Sequence, residues 1–513
     1  MFPAFLGCPV NKANRSFLAI LADKLKNTPL MRAFLWGLLA ATALPPVHLL
    51  PALLFSVPGL LRLIDAAPNW RRVALVGWFY GFGLGLAGLY WITEPILTEA
   101  KQFWWLVPIA APLLAGTVAF YTIIPAIAAR LVPAGIGRIL VFGGAWTLSN
   151  FIQQFLFTGF PWNYWGTDWA IPGYIGNIFL QPAAIFSVYG LTLMTVLLSA
   201  APLFRFRGFA VLSVCLAIWA GFGYVRLQTP EHETTTNLAL IQPNFSEPPN
   251  FSRPALLANW HLLLAMSAAG IKSGANAIIW PEAASPWLLA SDAGAREQLA
   301  AITGYTPVIA GSVRVVTSSD FRNSMIVTAG PQPPLAIYDK WKLVPFGEYT
   351  PKWIPVKIIP SLIGGGFTPG PGPKTIGNIP GISPFGAIIC YEAIFSGQII
   401  DEHDRPDWIV NITDDAWFGN SAGPWQHFAD VRLRAVEEGL PIVRDANSGI
   451  SAIIDPFGRV TARMQLGYRG VLVAPLPEAQ PKTIYARLGL LLPVSLSVLC
   501  LLVGLICGTR KSC

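Results

Sequence analysis

The chain has 513 residues, of which 53 % are hydrophobic and only 12 % are charged, and its mean hydropathy is +0.52. Because soluble domains carry about 25 % charged residues, this composition excludes an entirely soluble protein and predicts that much of the chain lies in lipid. The net charge of +8 comes largely from Arg and Lys in the loops between apolar segments. That distribution is typical of membrane topology rather than of nucleic-acid binding.

Eight apolar segments predict membrane-spanning helices. They cover about residues 33–47, 48–65, 73–96, 104–130, 137–157, 182–203, 208–226 and 486–508. A basic N-terminus precedes them without a convincing cleavage site, so we interpret the first segment as a retained anchor and not as a signal peptide. The expected organisation is a polytopic α-helical membrane domain of about eight spans, seven of them in residues 1–230, with an α/β domain in residues 231–480. The eighth span and a short cytoplasmic tail then occupy residues 481–513.

The basic residues of the connecting loops indicate the orientation of these spans. Arg71 and Arg205 are among the basic residues that occur in every second loop, whereas the intervening loops near residues 97–103 and 158–181 hold few. Cytoplasmic loops are enriched in Lys and Arg. The N-terminus is therefore expected in the cytoplasm and residues 231–480 outside it.

An external loop from Gly159 to Trp169 is dense in aromatic residues. Indole and phenol rings favour the headgroup level of a bilayer, which indicates an interfacial belt. A wall of a pocket for a lipid substrate is the alternative interpretation.

From about residue 236 the pattern changes to an alternation of short strands and helices. Strands are expected at 238–242, 277–282, 308–311, 324–327, 407–412, 442–444, 451–454 and 471–473, and helices at 254–269 and 424–438. Asp455 to Gly458 is expected to form a hairpin turn. About 240 residues with this alternation predict one α/β domain with a sizeable core.

Three segments that end strands offer a carboxylate, an amine and a thiol in chain order. Glu282 would accept a thiol proton, and Cys390 would carry an acyl group as a thioester. Lys340, kept cationic beside carboxylates, would stabilise the oxyanion of a tetrahedral intermediate. Cys390 by itself could be a buried structural cysteine, but the three groups together favour acyl-transfer chemistry.

Several motifs around these residues carry a resemblance to a known family. They are Leu343–Tyr349, Cys390–Glu392, Asn411–Gly419, Gly423–His427 and Arg444–Ile450. On these motifs the chain resembles the nitrilase superfamily. Together with its apolar segments it is similar to the apolipoprotein N-acyltransferase family over nearly its whole length.

The resemblance implies a fold and a set of site residues. The α/β domain would be a nitrilase-like αββα sandwich, with Glu282, Lys340 and Cys390 as its catalytic residues. Other residues would support catalysis or contact the substrate. The supporting residues would be Glu348, Tyr391 and Glu392, and the substrate-binding residues would be Trp417, Phe418, Trp425 and Phe251.

The resemblance also implies an activity. The enzyme would transfer a fatty acyl chain from a glycerophospholipid, typically phosphatidylethanolamine, to the α-amino group of the diacylglyceryl-cysteine that begins an apolipoprotein. This reaction is the last step of bacterial lipoprotein maturation. The enzyme would be a monomer in the bacterial inner membrane with its catalytic domain in the periplasm, and it would need no cofactor. No metal site is expected, because the five histidines are scattered without ligand spacing.

Three positions qualify this resemblance. Lys342 stands where the family often has a histidine, and Phe251 is the aromatic residue nearest to a position where the family often has a tryptophan on the lipid path. Both differences concern substrate contacts and not the catalytic residues. His427, which follows Trp425 closely, is interpreted as a buried core or interfacial histidine and not as a base.

Two other functions stay open at this point. A membrane-tethered amidase that hydrolyses a small amide would need a pocket open to water. The apolar arm Trp353–Ile363, followed by the glycines Gly364–Gly366, instead indicates a pocket that opens toward lipid. A transporter or scaffold would be marked by charges inside the spans, for which Glu94 and Asp65 are the few candidates, and both lie near span ends.

Overall fold

The computed structural model of the chain describes residues 28–98, 100–246, 250–351 and 366–509. These residues form a part made of helices and an α/β part that is inserted before the last long helix. The apolar arm Trp353–Ile363, for which a role at the lipid surface was expected, lies outside the described residues.

Ten α-helices precede the α/β part within the described residues. They are α1 (Pro29–Ala41), α2 (Leu53–Ala66), α3 (Trp70–Gly88), α4 (Glu94–Thr98), α5 (Ala100–Phe103), α6 (Val107–Arg130), α7 (Ile136–Phe155), α8 (Tyr174–Leu180), α9 (Ala183–Ser199) and α10 (Arg205–Arg226). Asn69 begins α3, because its side chain accepts a hydrogen bond from the backbone N–H of Arg72 at 3.0 Å. Apolar side chains of α1, α2, α3, α6, α7 and α9 then pack into one common core.

The α/β part contains two six-stranded sheets. The strands are β1 (Glu233–Gln242), β2 (Ala277–Ile279), β3 (Val308–Thr317), β4 (Asp320–Thr328), β5 (Ala336–Asp339), β6 (Lys374–Ile376), β7 (Phe385–Ile389), β8 (Trp408–Thr413), β9 (Ile442–Ala446), β10 (Ala452–Ile454), β11 (Val460–Arg463) and β12 (Gly470–Pro477). The first sheet has the order β12-β1-β2-β3-β4-β5 and the second the order β11-β10-β9-β8-β7-β6. The central pairs β1–β2, β2–β3, β7–β8 and β8–β9 are parallel, and the outer pairs are antiparallel.

The two sheets pack face to face and helices cover their outer faces. Leu240 and Met325 of the first sheet belong to the same buried cluster as Ile389 and Val443 of the second. On the outside, α11 (Arg253–Lys272) and α12 (Ala293–Thr303) cover the first sheet, and α13 (Gly423–Glu438) covers the second. This arrangement is an αββα sandwich, so the fold expected for the α/β domain is confirmed. The hairpin turn is present as well, since Gly458 donates to the Asp455 carbonyl at 2.9 Å.

After the last strand the chain returns to the helical part through α14 (Ile484–Leu488) and α15 (Leu491–Thr509). Helix α15 packs directly on α7. A Cβ atom on Gly144 of α7 would lie only 2.4 Å from the backbone oxygen of Ser497 in α15. Such close backbone contact at small residues is typical of helices that pack within a membrane.

By length and hydropathy, fewer than the expected eight or so of the described helices qualify as membrane spans. Four segments qualify, namely Trp104–Arg130, Ala183–Arg226, Arg253–Lys272 and Leu491–Gly508, and the bent pair Trp70–Gly88 and Tyr90–Thr98 would make a fifth. Helices α1 and α2 are only 13 and 14 residues long. One of the four segments is α11, which packs Trp260 and Leu263 against the first sheet and belongs to the α/β part.

The aromatic external loop is buried, which makes its interpretation as an interfacial belt wrong. Trp162, Tyr164 and Trp165 are 3 %, 3 % and 1 % exposed. Trp165 stacks on Trp146 of α7 with a centroid distance of 4.4 Å. The loop therefore packs between the helices and the α/β part and does not contact lipid headgroups.

Candidate active site

Lys340 follows β5, and its ammonium group lies between two carboxylates. Nζ donates to Glu282 Oε1 at 2.8 Å and to Glu348 Oε1 at 3.0 Å. The side chain is only 1 % exposed. Burial alone would lower the pKa of Lys340, but the two carboxylates raise it well above its ordinary value. The amine is therefore a cation throughout the neutral pH range.

A buried amide that the sequence reasoning missed holds both carboxylates. Asn323 of β4 donates from Nδ2 to Glu282 at 2.7 Å and to Glu348 at 2.9 Å. Glu282 Oε2 also accepts from the backbone N–H of Asp414 at 2.9 Å, and Glu348 Oε2 accepts from that of Val344 at 2.8 Å. No local pattern marks Asn323, because all its partners come from other segments.

Cys390 directly follows β7 and begins a short 3-10 helix that ends at Ile394. Its φ angle is +50°, a left-handed conformation that is costly for a residue with a Cβ atom. Burial raises the pKa of the thiol well above its ordinary value; the Glu282 carboxylate raises it further, while the Lys340 ammonium lowers it. The resting group is therefore a neutral thiol that needs a base before it can attack.

The structure thus brings Glu282, Lys340, Cys390 and Glu348 into one site, as expected from the sequence. The site places a carboxylate and an ammonium group beside the thiol. Their catalytic roles stay a prediction that experiments must test.

Glu392 joins the two strand ends that carry Lys340 and Cys390. Its Oε1 accepts from the backbone N–H of Trp341 at 2.7 Å, and its Oε2 accepts from that of Ile389 at 2.6 Å and from the Tyr338 hydroxyl at 2.8 Å. Burial raises the pKa of Glu392 to about 7 against these donors, which favour the carboxylate. The side chain is placed to hold the amine and the thiol at a constant separation.

Tyr391 points from the loop after Cys390 to the helical part. Its hydroxyl donates to the carbonyl of Gly159 at 2.9 Å. The ring belongs to an apolar cluster, hereafter the aromatic cluster, which consists of Leu89, Trp91, Trp162, Tyr391, Ile394 and Phe395, with Leu114, Val118, Val344 and Phe418 packed against it. The aromatic cluster therefore runs from the loop after Cys390 to the residue that follows α3 and to α6.

Gln426, at the start of α13, holds two tryptophans of this cluster. Its Oε1 accepts from the indole N–H groups of Trp91 at 2.9 Å and Trp162 at 2.8 Å. Its Nε2 donates to the carbonyl of Gly88, at the end of α3, at 3.1 Å. The motif Gly423–His427 contains this residue, but nothing in the motif indicates its partners.

The expected substrate-binding residues are not all in one place. Phe418 lies in the aromatic cluster, with its ring 4.8 Å from that of Trp91. Trp417 is 37 % exposed beside it, and Phe251 is 58 % exposed shortly before α11. Trp425 packs in a separate cluster between α13 and the second sheet. In the described part of the chain, no three His, Cys, Asp or Glu side chains are placed to hold a metal ion.

The backbone of Glu282 passes over β3 at a glycine. A Cβ atom on Gly311 would lie 2.1 Å from the carbonyl oxygen of Pro281 and 2.6 Å from the Cα atom of Glu282. Such distances do not occur between real atoms, so any larger residue at this position has to displace the segment that carries Glu282.

Both parts of the chain match known families. Residues 36–201 match the apolipoprotein N-acyltransferase N-terminal domain, and residues 237–482 match the carbon-nitrogen hydrolase family. An apolipoprotein N-acyltransferase from Rhodopseudomonas palustris is 35 % identical over 493 residues, which cover 89 % of this chain and 91 % of the relative. The chain belongs to the apolipoprotein N-acyltransferase family.

A further relative agrees with this assignment. An apolipoprotein N-acyltransferase from Bradyrhizobium diazoefficiens is 36 % identical over 490 residues, covering 88 % of this chain and 90 % of its own. As a member of this family, the chain is an enzyme and a membrane protein. Among solved structures, the chain is similar to a mutant of an amidase from Nesterenkonia AN1, of the nitrilase superfamily, which covers 50 % of this chain and 94 % of its own at 16 % identity and a TM-score of 0.37.

The raised pKa of the thiol gives a first prediction for this acyltransferase. The rate at which iodoacetamide modifies native Cys390 should still be rising above about pH 9, because the thiolate is the reactive form. In the denatured protein the rate should level off near the ordinary value of about 8.5. Mass spectrometry of the Cys390 peptide measures both rates, and a native rate that levels off below pH 8 would contradict a resting neutral thiol.

The contact at Gly311 gives a second prediction. Gly311→Ala should lower acyl transfer about 100-fold, because a shift of about 1 Å in a reacting group has an effect of that size. Gly294→Ala in α12 is the matched control, since a Cβ atom there meets only Asp292 Oδ1 at 3.5 Å. Both variants should be compared in acyl transfer and in unfolding temperature. Full activity of Gly311→Ala would mean that Glu282 is not positioned by this contact.

Proposed function

We propose that this N-acyltransferase works in two half-reactions through an acyl thioester on Cys390. The donor is a glycerophospholipid, typically phosphatidylethanolamine. The acceptor is the α-amino group of the diacylglyceryl-cysteine at the N-terminus of an apolipoprotein. The observation that carries the proposal is the buried thiol beside a carboxylate and an ammonium group, next to an aromatic cluster that continues into the helical part.

The first half-reaction is the acylation of Cys390. Glu282 takes the thiol proton while Sγ attacks the ester carbonyl of the phospholipid, and the raised pKa of the thiol makes this base necessary. The carbonyl oxygen becomes an oxyanion, to which Lys340 donates a hydrogen bond. When the ester C–O bond breaks, Glu282 returns the proton to the alcohol of the leaving lysophospholipid.

The second half-reaction transfers the acyl group to the lipoprotein. The neutral α-amine attacks the thioester carbonyl, and Glu282 takes a proton from the attacking nitrogen. Lys340 again stabilises the oxyanion. The C–S bond breaks, the proton passes from Glu282 to Cys390, and the products are the N-acylated lipoprotein and the free thiol.

Glu348 has a separate task in both steps. While Glu282 carries the proton it no longer neutralises Lys340. Glu348 lies 3.0 Å from Nζ and accepts a backbone hydrogen bond from Val344. It keeps the ammonium charged at the moment when the oxyanion needs it.

The aromatic cluster would help a thioester to survive in this enzyme. Phe418 packs against the buried rings of Trp91 and Trp162 beside the loop that carries Cys390, and Leu114 and Val118 of α6 pack against the same cluster. An acyl chain that lies against the partly exposed side of this cluster would exclude water from the thioester. Discharge then depends on a membrane-anchored amine rather than on bulk water, which disfavours an amidase.

The proposed topology places eight spans in a bacterial inner membrane. Helices α1, α2, α3, α6, α7, α9, α10 and α15 would be the spans, the shorter ones being covered by their neighbours. The alternation of basic loops supports an α/β part in the periplasm, where apolipoproteins present their N-termini. The enzyme would act as a monomer.

The lifetime of the acyl adduct tests the transfer mechanism. Intact-mass analysis should find an acyl adduct on the purified enzyme in the presence of phospholipid. The adduct should discharge rapidly with a lipoprotein acceptor that has a free α-amine, and it should persist with a blocked acceptor or with none. Rapid discharge in all three samples would indicate a hydrolase and refute the transfer mechanism.

Three variants assign the roles within that experiment. Cys390→Ala should form no adduct, and Glu282→Gln should form little because the thiol is not activated. Lys340→Ala should slow acylation by about 100- to 1,000-fold, the usual effect of losing an oxyanion donor. Glu402→Gln, in the exposed stretch after Ser396, serves as the neutral control. An adduct in Cys390→Ala would place the acyl group on another residue.

The orientation is tested with a reporter that is active only outside the cytoplasm. Fusions near residue 300, in α12, should be active, and fusions near residue 206, at the start of α10, should be inactive. The physical reason is the excess of Arg and Lys in the loops on the side of residue 206. The opposite pattern of activity would overturn both the count of spans and the compartment.

A further inference from the structure

The main chain of Cys390 is contacted by a residue outside the proposed catalytic set. His427 Nε2 lies 3.1 Å from the backbone carbonyl oxygen of Cys390. The nucleophile is therefore held at its main chain.

The other ring nitrogen of His427 lies beside a buried carboxylate. Asp415 Oδ1 lies 3.0 Å from His427 Nδ1 and accepts from the Thr413 hydroxyl at 3.2 Å. Asp415 Oδ2 accepts from Arg444 Nη2 at 2.6 Å. Arg444 in turn donates from Nη1 to Asn411 at 2.5 Å. These five residues come from β8, the loop after it, α13 and β9.

The cluster is closed to solvent and charged. His427 and Arg444 are 0 % exposed and Asp415 is 1 % exposed. Burial alone would raise the pKa of Asp415, but Arg444 and His427 hold it well below its ordinary value. An ion pair at this depth is costly to remove from water, and both of its charges lie against His427 Nδ1, Asp415 at 3.0 Å and Arg444 at 3.2 Å.

His427 is not placed to act as the base for the thiol. The carbonyl of Cys390 can only accept a hydrogen bond, so Nε2 is the donor and its hydrogen points at the main chain. The ring is further fixed between Trp162 and Phe418, whose centroids lie 5.9 Å and 6.0 Å away. The imidazole therefore holds the peptide that follows a residue with a φ of +50°.

We propose that Asp415 and Arg444, which both lie against Nδ1 of His427, position Cys390 for acyl transfer through the contact of His427 with its carbonyl. This inference rests on the proposed role of Cys390 as the nucleophile. The left-handed backbone of Cys390 is strained, and a hydrogen bond to its carbonyl keeps Sγ directed to Glu282 and Lys340. His427 is a positioning residue, since it exchanges no atoms with the substrate.

Two substitutions of His427, by Gln and by Asn, test the contact with the Cys390 carbonyl, because their side-chain amides differ in length. In His427→Gln the amide nitrogen reaches the place of Nε2 and still donates to Cys390. In His427→Asn the amide reaches only the place of Nδ1, so the bond to Cys390 is lost. His427→Asn should lower the rate of adduct formation about 100-fold at an unchanged KM for the phospholipid, and His427→Gln should stay within a few-fold of the unaltered enzyme.

Unfolding temperatures separate positioning from a loss of fold. A merely structural role would lower activity in step with stability, and the two variants would then be equally active well below their unfolding temperatures. Equal rates of adduct formation for His427→Asn and His427→Gln, measured well below both unfolding temperatures, would overturn the inference. If the unaltered enzyme forms no adduct on Cys390, the thioester mechanism itself fails, and the inference fails with it.

A second pair keeps the test decisive if His427→Asn does not fold. Thr413→Ser retains the hydroxyl that donates to Asp415, whereas Thr413→Val has nearly the same shape without it. Thr413→Val should form the adduct at least about tenfold more slowly than Thr413→Ser, because a hydrogen bond to the charged carboxylate beside His427 is lost. Equal rates in this pair would show that Asp415 does not position Cys390.

Discussion

A buried ammonium group is the constraint on which the rest of the site depends. Lys340 is 1 % exposed, and taking such a charge out of water costs on the order of several kcal/mol unless partners compensate it. Glu282 and Glu348 supply the compensation, and Asn323 bridges the two carboxylates by donating to both. The loops after β2 and β5 therefore converge near the start of β4.

Buried hydrogen bonds also join the α/β part to the helices. Helix α9 is interrupted at Ser187, whose φ is +58°, and the freed N–H of Val188 donates to Glu437 of α13 at 2.8 Å. Ser396, in the loop after Cys390, donates to the same carboxylate. Gln426 makes a comparable bond to the end of α3. The bonds to Val188 and to Gly88 satisfy buried backbone groups of the helical part, so the two parts cannot shift independently without leaving polar groups unpaired.

Much of the fold follows from patterns that are local in the sequence. Helix α13 was expected at 424–438 and is observed at Gly423–Glu438, because Pro424 suits a first helical turn and Gly439 adopts the left-handed cap with a φ of +69°. The apolar run before Cys390 forms β7 as expected, since its side chains are buried on both faces. The carboxylate, the amine and the thiol of the site could be located in the sequence because each closely follows an apolar run. Length and hydropathy likewise located the apolar helices, although only four of the described segments, or five with the bent pair, qualify as spans by these two measures.

Only the tertiary structure decided which polar groups meet. Trp91 and Gln426 are 335 positions apart, and the bond between them has no sequence pattern. The same holds for Asn323 with its two carboxylates and for His427 with the carbonyl of Cys390. The aromatic loop was misread for this reason, since rings suited to a membrane surface are equally suited to a buried contact. A sequence determines which residues prefer to be buried, but a hydrogen bond requires two atoms within about 3 Å, and only the packing of distant segments brings them that close.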